Sequence, residues 1–255
     1  MGKKFVEGLV SVIIPVYNAS NYIDRTLNSV FSQTYKNIEI IIVDDCSTDD
    51  TAKLIKEYEK THSEIIYYLQ EKNMGAGYAR NKALELAKGQ YVAFLDSDDL
   101  WMRDKIQRQL KLMKNRNCVF CYAAIEMINE KDKVIKKKRN IKETCDYDYL
   151  LHNTIIATSS VLIDRIALGD FKMSNRRGGQ DYATWLMLLR DGKQAVGINE
   201  ALVKYRIRNN SLSANKLKSL KQIWEIQTVD EKMRKISVIF NVLCFICNAL
   251  KKYLI

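Results

Sequence analysis

Residues 91 to 100 read Tyr-Val-Ala-Phe-Leu-Asp-Ser-Asp-Asp-Leu, an apolar strand that runs without a break into three carboxylates, Asp96, Asp98 and Asp99. Carboxylates crowded at a strand end repel one another, so their ionised state calls for a cation or strong donors nearby. The cluster is therefore a candidate site for a metal ion and phosphate. The same residues also suit a helix N-cap, because Asp98 or Asp99 could satisfy the orphan N–H groups of a helix beginning near Leu100.

Upstream, strand-length apolar runs rich in Val, Ile or Tyr recur at residues 9–16, 38–43 and 65–69. Residues 22–33, 49–60 and 78–88 separate these runs and the strand at 91–95. Apolar side chains recur in them at helical spacing, as in Ile23, Leu27, Val30 and Phe31. Strands alternating with helices imply right-handed crossovers and a mostly parallel central sheet flanked by helices, with ligands bound outside the carboxyl ends of the strands. Three polar clusters fall at that one edge. Pro15, Tyr17 and Asn18 end the first strand, Asp44 and Asp45 the second, and Asp96, Ser97, Asp98 and Asp99 the fourth. Solvated turns alone would show no such preference for acids at one edge, whereas ligand-holding loops would. After the third strand, Asn73-Met74-Gly75-Ala76-Gly77 opens a helix that carries Arg80 in its first turn, and free N–H groups there suit a phosphate.

The chain has 255 residues, 47% hydrophobic and 28% charged, with one proline and ten glycines, which excludes disordered and fibrous classes. Six scattered cysteines are too few for a disulfide framework in a chain of this size and fit a reducing compartment. The Cys118/Cys121 and Cys244/Cys247 pairs lie in apolar runs without knuckle glycines and read as inert thiols rather than a zinc site. The net charge of +11 is uneven: residues 131–139 hold six bases against one acid, and residues 216–255 eight against three. Such patches attract phosphate or anionic lipid. Nucleic acid is not expected as a partner, since no nucleic-acid-binding motif is present and acid-lined strand ends repel a polyanion.

Beyond residue 117 a hairpin is expected from residues 119–127 and 134–135, a short strand at 159–163, and a helix at 182–190 ended by Asp191-Gly192. From Lys216 the chain reads as helix. Residues 236–250 are mostly apolar but too short to span a bilayer, and bases at 232, 234, 235, 251 and 252 flank them. That pattern suits a helix lying in an anionic membrane interface, or alternatively one packing against the protein. The apolar run around residues 9–14 is cut by Pro15 and lacks a small-residue cleavage site, so a cytoplasmic location is expected, peripheral on the inner face of the cytoplasmic membrane.

Four motifs stand in order and spacing: Ser11-Val12-Ile13-Ile14-Pro15-Val16-Tyr17-Asn18, Val43-Asp44-Asp45-Cys46-Ser47-Thr48-Asp49, Ala79-Arg80-Asn81 and Asp96-Ser97-Asp98-Asp99. With them, residues 8–215 resemble the family 2 inverting glycosyltransferases, in particular the bacterial branch that builds capsular, O-antigen or teichuronic-type polysaccharides. Gly179-Gln180-Asp181-Tyr182 and Tyr205-Arg206, with Ser211 and Ser213, extend the likeness.

The resemblance implies a nucleotide-sugar-binding fold of the GT-A type over residues 1–215, its nucleotide half about 1–100 and its acceptor half about 101–215, with a helical tail at 216–255. It implies that Asp44 meets the nucleobase or ribose beside the Pro15 to Asn18 loop, that Arg80 helps hold the nucleotide part of the donor, that Asp96 lies near the ribose and the metal, and that Asp45 and Ser97 belong to the nucleotide-sugar site. Asp98 becomes the ligand of Mn2+ or Mg2+, Arg206 and Arg208 belong to the nucleotide-sugar site, and Asp181 becomes the base that deprotonates the acceptor. Asp181 also suits a helix cap after the Gly178-Gly179 turn. Some relatives carry a histidine where this chain has Arg208, and an acidic residue where it has Gln180. An arginine cannot ligate a cation but can pair with a diphosphate bidentately, which implies weaker metal dependence. The expected donor is a nucleotide-diphosphate sugar, with UDP the carrier by family analogy, and the expected acceptor a saccharide hydroxyl, lipid-linked or on a growing polysaccharide. The rivals are a nucleotidyltransferase and a non-enzymatic nucleic-acid or partner-binding module.

Overall fold

The computed structural model describes residues 4–208 and 216–254. β1 (Val6–Val16), α1 (Ile23–Phe31), β2 (Ile38–Asp44), α2 (Thr51–Glu59), β3 (Ile65–Leu69), α3 (Ala76–Leu86) and β4 (Gly89–Phe94) alternate as the periodicity predicts. β1 pairs in parallel with β2 on one side and β4 on the other, and β2 pairs in parallel with β3. Successive side chains of a strand point to opposite faces, and here both faces are covered. Ile13, Ile41 and Val43 pack toward Ala79, Ala83 and Leu84 of α3. Val12, Ile14, Ile40 and Ile42 pack toward Ile23 and Leu27 of α1 and Ile55 of α2.

The chain continues through β5 (Leu100–Trp101), α4 (Lys105–Arg116), β6 (Phe120–Ile128), β7 (Val134–Arg139), β8 (Thr144–Cys145), α5 (Tyr147–Leu151) and a 3-10 turn (Thr158–Ser160). β9 (Leu162–Asp164), α6 (Arg165–Leu168), α7 (Gln180–Leu189), β10 (Ala195–Arg206), α8 (Lys216–Glu225), a π-helical turn (Ile226–Asp230) and α9 (Lys235–Leu254) follow. One ten-stranded sheet results, in the order β3-β2-β1-β4-β9-β6-β10-β5, with β7 on β6 and β8 on β10. Its long pairings are parallel; β9, between β4 and β6, runs antiparallel to both. The sheet is therefore continuous across the division near residue 100.

Trp185 of α7 stands edge-on to Phe94 and Phe120, with ring centroids 5.9 and 5.2 Å away, and so joins α7 to β4 and β6. Aromatic pairs of this geometry contribute about 0.5–1.5 kcal/mol each beyond the area they bury.

The helix expected near Leu100 begins at Lys105, preceded by Asp104; residues 100 and 101 instead form β5 against Val203 and Lys204. This removes Asp98 and Asp99 from the N-cap role. Part of the strand expected at 159–163 is the 3-10 turn, and the tail beyond 216 packs by one face, with Ile223, Ile226 and Val238 buried. Ser211 and Ser213 lie outside the described residues.

Candidate active site

The loop after β4 places its three carboxylates in three environments. Asp99 is wholly buried: one oxygen accepts from Ser159 Oγ at 2.6 Å, the other from the Arg206 backbone N–H at 2.8 Å. Burial, reinforced by the charges of Asp96 and Asp98, holds its carboxyl well above the usual carboxylate range. Asp99 thus ties the end of β4 to the end of β10 from behind the cleft. Asp96 and Asp98 keep 31% and 22% of their side chains exposed, which leaves them open to solvent at the carboxyl edge of the parallel strands, the side on which such a sheet forms its ligand cleft. Asp96 pairs with Arg80 Nη2, and its backbone N–H donates to Ser159 Oγ at 3.1 Å. Asp98 Oδ2 lies 3.2 Å from Arg208 Nε. Burial first, then the neighbouring charge of Asp96, pushes the Asp98 carboxyl up, and Arg208 opposes that rise.

Arg206 turns its guanidinium into the protein. Its side chain has no exposed surface; Nε donates to the Asp98 carbonyl at 2.7 Å, Nη1 to the Asn129 carbonyl at 2.8 Å, and Nη2 lies 2.6 Å from Asp132 Oδ1. A guanidinium engaged on three sides sets the course of the Asp98-Asp99 backbone. Arg208, with 35% of its side chain exposed, is the free-facing cation of the pair. Both guanidinium groups lie over the Tyr22 ring, 5.0 and 5.5 Å from its centroid.

The loops after β1 and β2 are laced together. The Asn18 backbone N–H donates to Ser47 Oγ at 2.9 Å, its Oδ1 accepts from the Thr48 N–H at 2.8 Å, and the Ala19 N–H donates to Thr51 Oγ1 at 2.8 Å. Tyr17 stands half exposed above them. Pro15 is tolerated inside a central strand for a register reason. Val16 O accepts from Asp45 N and Ile13 O from Leu95 N, so Ile13 and Pro15 face the β4 side, where the last paired residue opposite Ile13 is Phe94. One step beyond, no ladder donor is required of the proline.

Asp44 is fully buried, with Oδ1 accepting from the Ser47 N–H at 2.8 Å and Oδ2 from Tyr67 Oη at 2.9 Å. Each oxygen thus holds one donor of the chain itself, which ties the end of β2 to β3 and to the loop at Ser47. Asp45, only 3% exposed, accepts from the Met74 N–H at 2.8 Å and the Gly75 N–H at 2.7 Å. The N–H groups of Met74 and Gly75, just ahead of α3, therefore already hold an internal carboxylate, the kind of anion a helix N-terminus favours.

Asp181 lies in the first turn of α7, one of whose flanking residues, Gly179, adopts φ +68°. One carboxylate oxygen accepts from the Tyr182 N–H at 2.8 Å and the other from Thr158 Oγ1 at 3.2 Å. Thr158 and Ser159 are consecutive residues of the 3-10 turn, so one turn braces Asp181 with the first and Asp99 and Asp96 with the second. α7 approaches α3 closely: a Cβ on Gly77 would lie 2.3 Å from Gln180 Oε1 and 2.8 Å from the Ser174 carbonyl.

Thr158, Ser159, Tyr22 and Asp132 escape sequence reading because each stands outside the four motifs. The one local signal is the polar Thr-Ser-Ser run, residues 158–160, opening an otherwise apolar segment.

Among the described residues no three His, Cys, Asp or Glu side chains gather into a metal cage. Hard divalent cations are commonly held by one or two carboxylates completed by substrate phosphates, and Asp98 beside Asp96 fits that donor set. Cys121 is buried, its thiol pushed up to about 12 by burial, as expected of an inert cysteine, whereas Cys247 is exposed.

The Glycosyl transferase family 2 profile matches residues 11–178. The chain is 44% identical over 246 residues to a teichuronic acid biosynthesis glycosyltransferase of Bacillus subtilis, TuaG, covering 96% of this chain and 98% of the relative. It is 35% identical to the Escherichia coli UDP-Glc:alpha-D-GlcNAc-diphosphoundecaprenol beta-1,3-glucosyltransferase WfgD, over 96% of this chain and 95% of that one. Among solved structures, S. aureus TarS in complex with UDP superposes with a TM-score of 0.71 at 19% identity, over 93% of this chain and 70% of TarS. The mannosyltransferase PcManGT of Pyrobaculum calidifontis, in complex with GDP-Man and Mn2+, gives 0.67 at 20%, over 89% of this chain and 65% of that one. These likenesses show the GT-A fold, and the sequence matches go further: the chain belongs to glycosyltransferase family 2.

Proposed function

We propose that this glycosyltransferase moves a sugar, with inversion, from a UDP-sugar to a hydroxyl of a lipid-linked or growing polysaccharide acceptor at the inner face of the cytoplasmic membrane. The observation that carries the reading is the Thr158-Ser159 turn, which braces Asp181 and the Asp96–Asp99 loop from adjacent residues. An acceptor-side base and a donor-side acidic pair then share one rigid support, and near-attack positioning of this kind accounts for much of a transfer rate.

In the reaction the acceptor oxygen bonds to the anomeric carbon as the bond from that carbon to the diphosphate oxygen breaks, and nucleoside diphosphate leaves. Asp181 takes the acceptor proton; Thr158 and the Tyr182 N–H hold the carboxylate in place for it. Arg208, on the cleft side of Asp98, pairs with the diphosphate, and Tyr17, Asn18 and Ser97 line the donor pocket. Arg80 and Asp45 act one layer back, Arg80 by holding Asp96 and Asp45 by holding the start of α3. Asp98, with Asp96, would hold Mn2+ or Mg2+, which supplies positive charge beside the leaving diphosphate. The UDP carrier and the lipid-linked acceptor draw support from the names of TarS in complex with UDP and of WfgD.

The test pairs a thermal shift with a transfer assay. UDP plus Mn2+ at about a hundred times Kd stabilises by about 2.7 kcal/mol through mass action. Asp98→Ala is expected to lose the Mn2+-dependent part of that shift. Asp181→Asn is expected to keep the whole shift and lose transfer; absence of any shift in the wild type overturns the donor site, and loss of the shift in Asp181→Asn removes that residue as the base.

A further inference from the structure

α9 presents two faces of opposite character. Val238, Asn241, Val242 and Phe245, at helical spacing, pack toward the protein. Ile236, Ile239, Phe240 and Leu243, at the same spacing on the other side, are exposed by 82, 49, 62 and 56%. Four large apolar side chains on one exposed stripe are more than scattered surface residues require. An apolar groove of about 490 Å3 between α5 and α9 borders the stripe, lined by Tyr149, His152, Phe240, Leu243 and Cys247 among others.

The charge around the stripe selects its occupant. Lys232, Arg234 and Lys235 are exposed at its N-terminal end, Lys251 and Lys252 follow in sequence at the other, and no Asp or Glu occurs after Glu231. A second copy of α9 laid on this face, parallel or antiparallel, would set bases against bases. An anionic lipid surface instead neutralises both ends while taking up the apolar middle. No described helix is long and apolar enough to cross a membrane.

We infer that the exposed face of α9 docks this enzyme on an anionic lipid–water interface, seating Ile236, Ile239, Phe240 and Leu243 among the acyl chains. The docked helix is hydrogen-bonded to the acceptor side of the cleft: Asn241 donates to Gln227 Oε1 at 2.9 Å, and Gln227 donates to the Tyr182 hydroxyl at 2.9 Å, next to Asp181. The assignment rests on the proposed function only in presuming that the acceptor is presented at a membrane.

Vesicle flotation of the full chain tests it. The wild type is expected to float with phosphatidylcholine–phosphatidylglycerol vesicles and not with phosphatidylcholine alone. Phe240→Asp with Leu243→Asp, both at exposed positions, is expected to stay in the soluble fraction, and Gln at 232, 234 and 235 to weaken partitioning about fivefold per base removed. Flotation of the double aspartate variant at the wild-type level overturns the inference. So does a wild-type dimer, by light scattering, that the same variant converts to monomer. The UDP–Mn2+ thermal shift is measured in parallel on each variant. A lost shift with flotation intact sinks the donor site and leaves the docking surface standing, and lost wild-type flotation with the shift intact does the reverse.

Discussion

Asp99 and Lys105 have almost no exposed surface, yet neither is the other's partner. Asp99 is satisfied by a hydroxyl and a backbone N–H, and its position behind the cleft explains why a carboxylate is kept there. Lys105 Nζ donates to Gln109 Oε1 at 2.7 Å and lies 4.1 Å from the centre of the Trp101 ring, and among the described residues it forms no ion pair with a carboxylate. Burial lowers its pKa from 10.5 to about 7. The folded state thus favours the neutral amine, and between those two values the unfolded chain binds more protons. The sign follows: the penalty is full below about pH 7 and is relieved as pH rises toward 10.5. Lys105→Met, which removes the charge and keeps the shape, should raise Tm by about 5 °C near pH 6, a few kcal/mol in a domain of this size. The gain should shrink steadily as pH approaches 10; an equal gain at both ends of a calorimetric pH series would refute it.

At the scale of elements, the contact of α3 with α7 sets where Asp181 stands. Gly77 lies in the first turn of α3, where an added Cβ meets Gln180 Oε1, the movable end of a side chain, and the Ser174 carbonyl, a backbone atom of the segment that leads into α7, so that segment cannot hold its place against an alanine. Gly77→Ala should push the start of α7 outward and lower kcat about a hundredfold, while Tm falls by only a few degrees. An unchanged kcat would show that Asp181 needs no such positioning. The four leading strands and the helices between them were legible because parallel strands buried on both faces are continuous apolar runs and the helices keep a 3.6-residue period. β10 was not, for a physical reason: its register slips between Ile198 and Ala201, and Asn199 and Glu200 interrupt its alternation. Motif membership does not give the direction each side chain takes. Asp44, Asp45 and Arg206 stand in or beside the motif loops, yet their polar atoms are taken up within the chain, by backbone N–H and C=O groups, the Tyr67 hydroxyl and the Asp132 carboxylate. Conversely, Thr158 and Ser159 reach the site only because β9 is inserted between β4 and β6, a long-range arrangement without local signature.

That insertion also governs the whole molecule. β9 comes late in the chain but fills the space between a strand of the first hundred residues and one of the second, and Trp185 packs on Phe94 and Phe120 from either side of the same seam. A fragment ending near residue 100 would leave the outer edge of β4 unpaired and Phe94 without its aromatic partner, which exposes both hydrogen-bonding groups and apolar area. The two halves of the chain should therefore unfold as one unit, although only the first carries the alternating strand–helix pattern. Tryptophans 101, 185 and 224 sample β5, α7 and α8, so their fluorescence reports on parts of the chain far apart in sequence. In urea, fluorescence and far-UV circular dichroism should trace one coincident transition, and Trp185→Ala should lower it by about 3–5 kcal/mol without splitting it. Two separated transitions, or a cooperatively folded 1–100 fragment, would mean that the first half carries its own core and that the β4–β9–β6 seam is a docking contact between independent units.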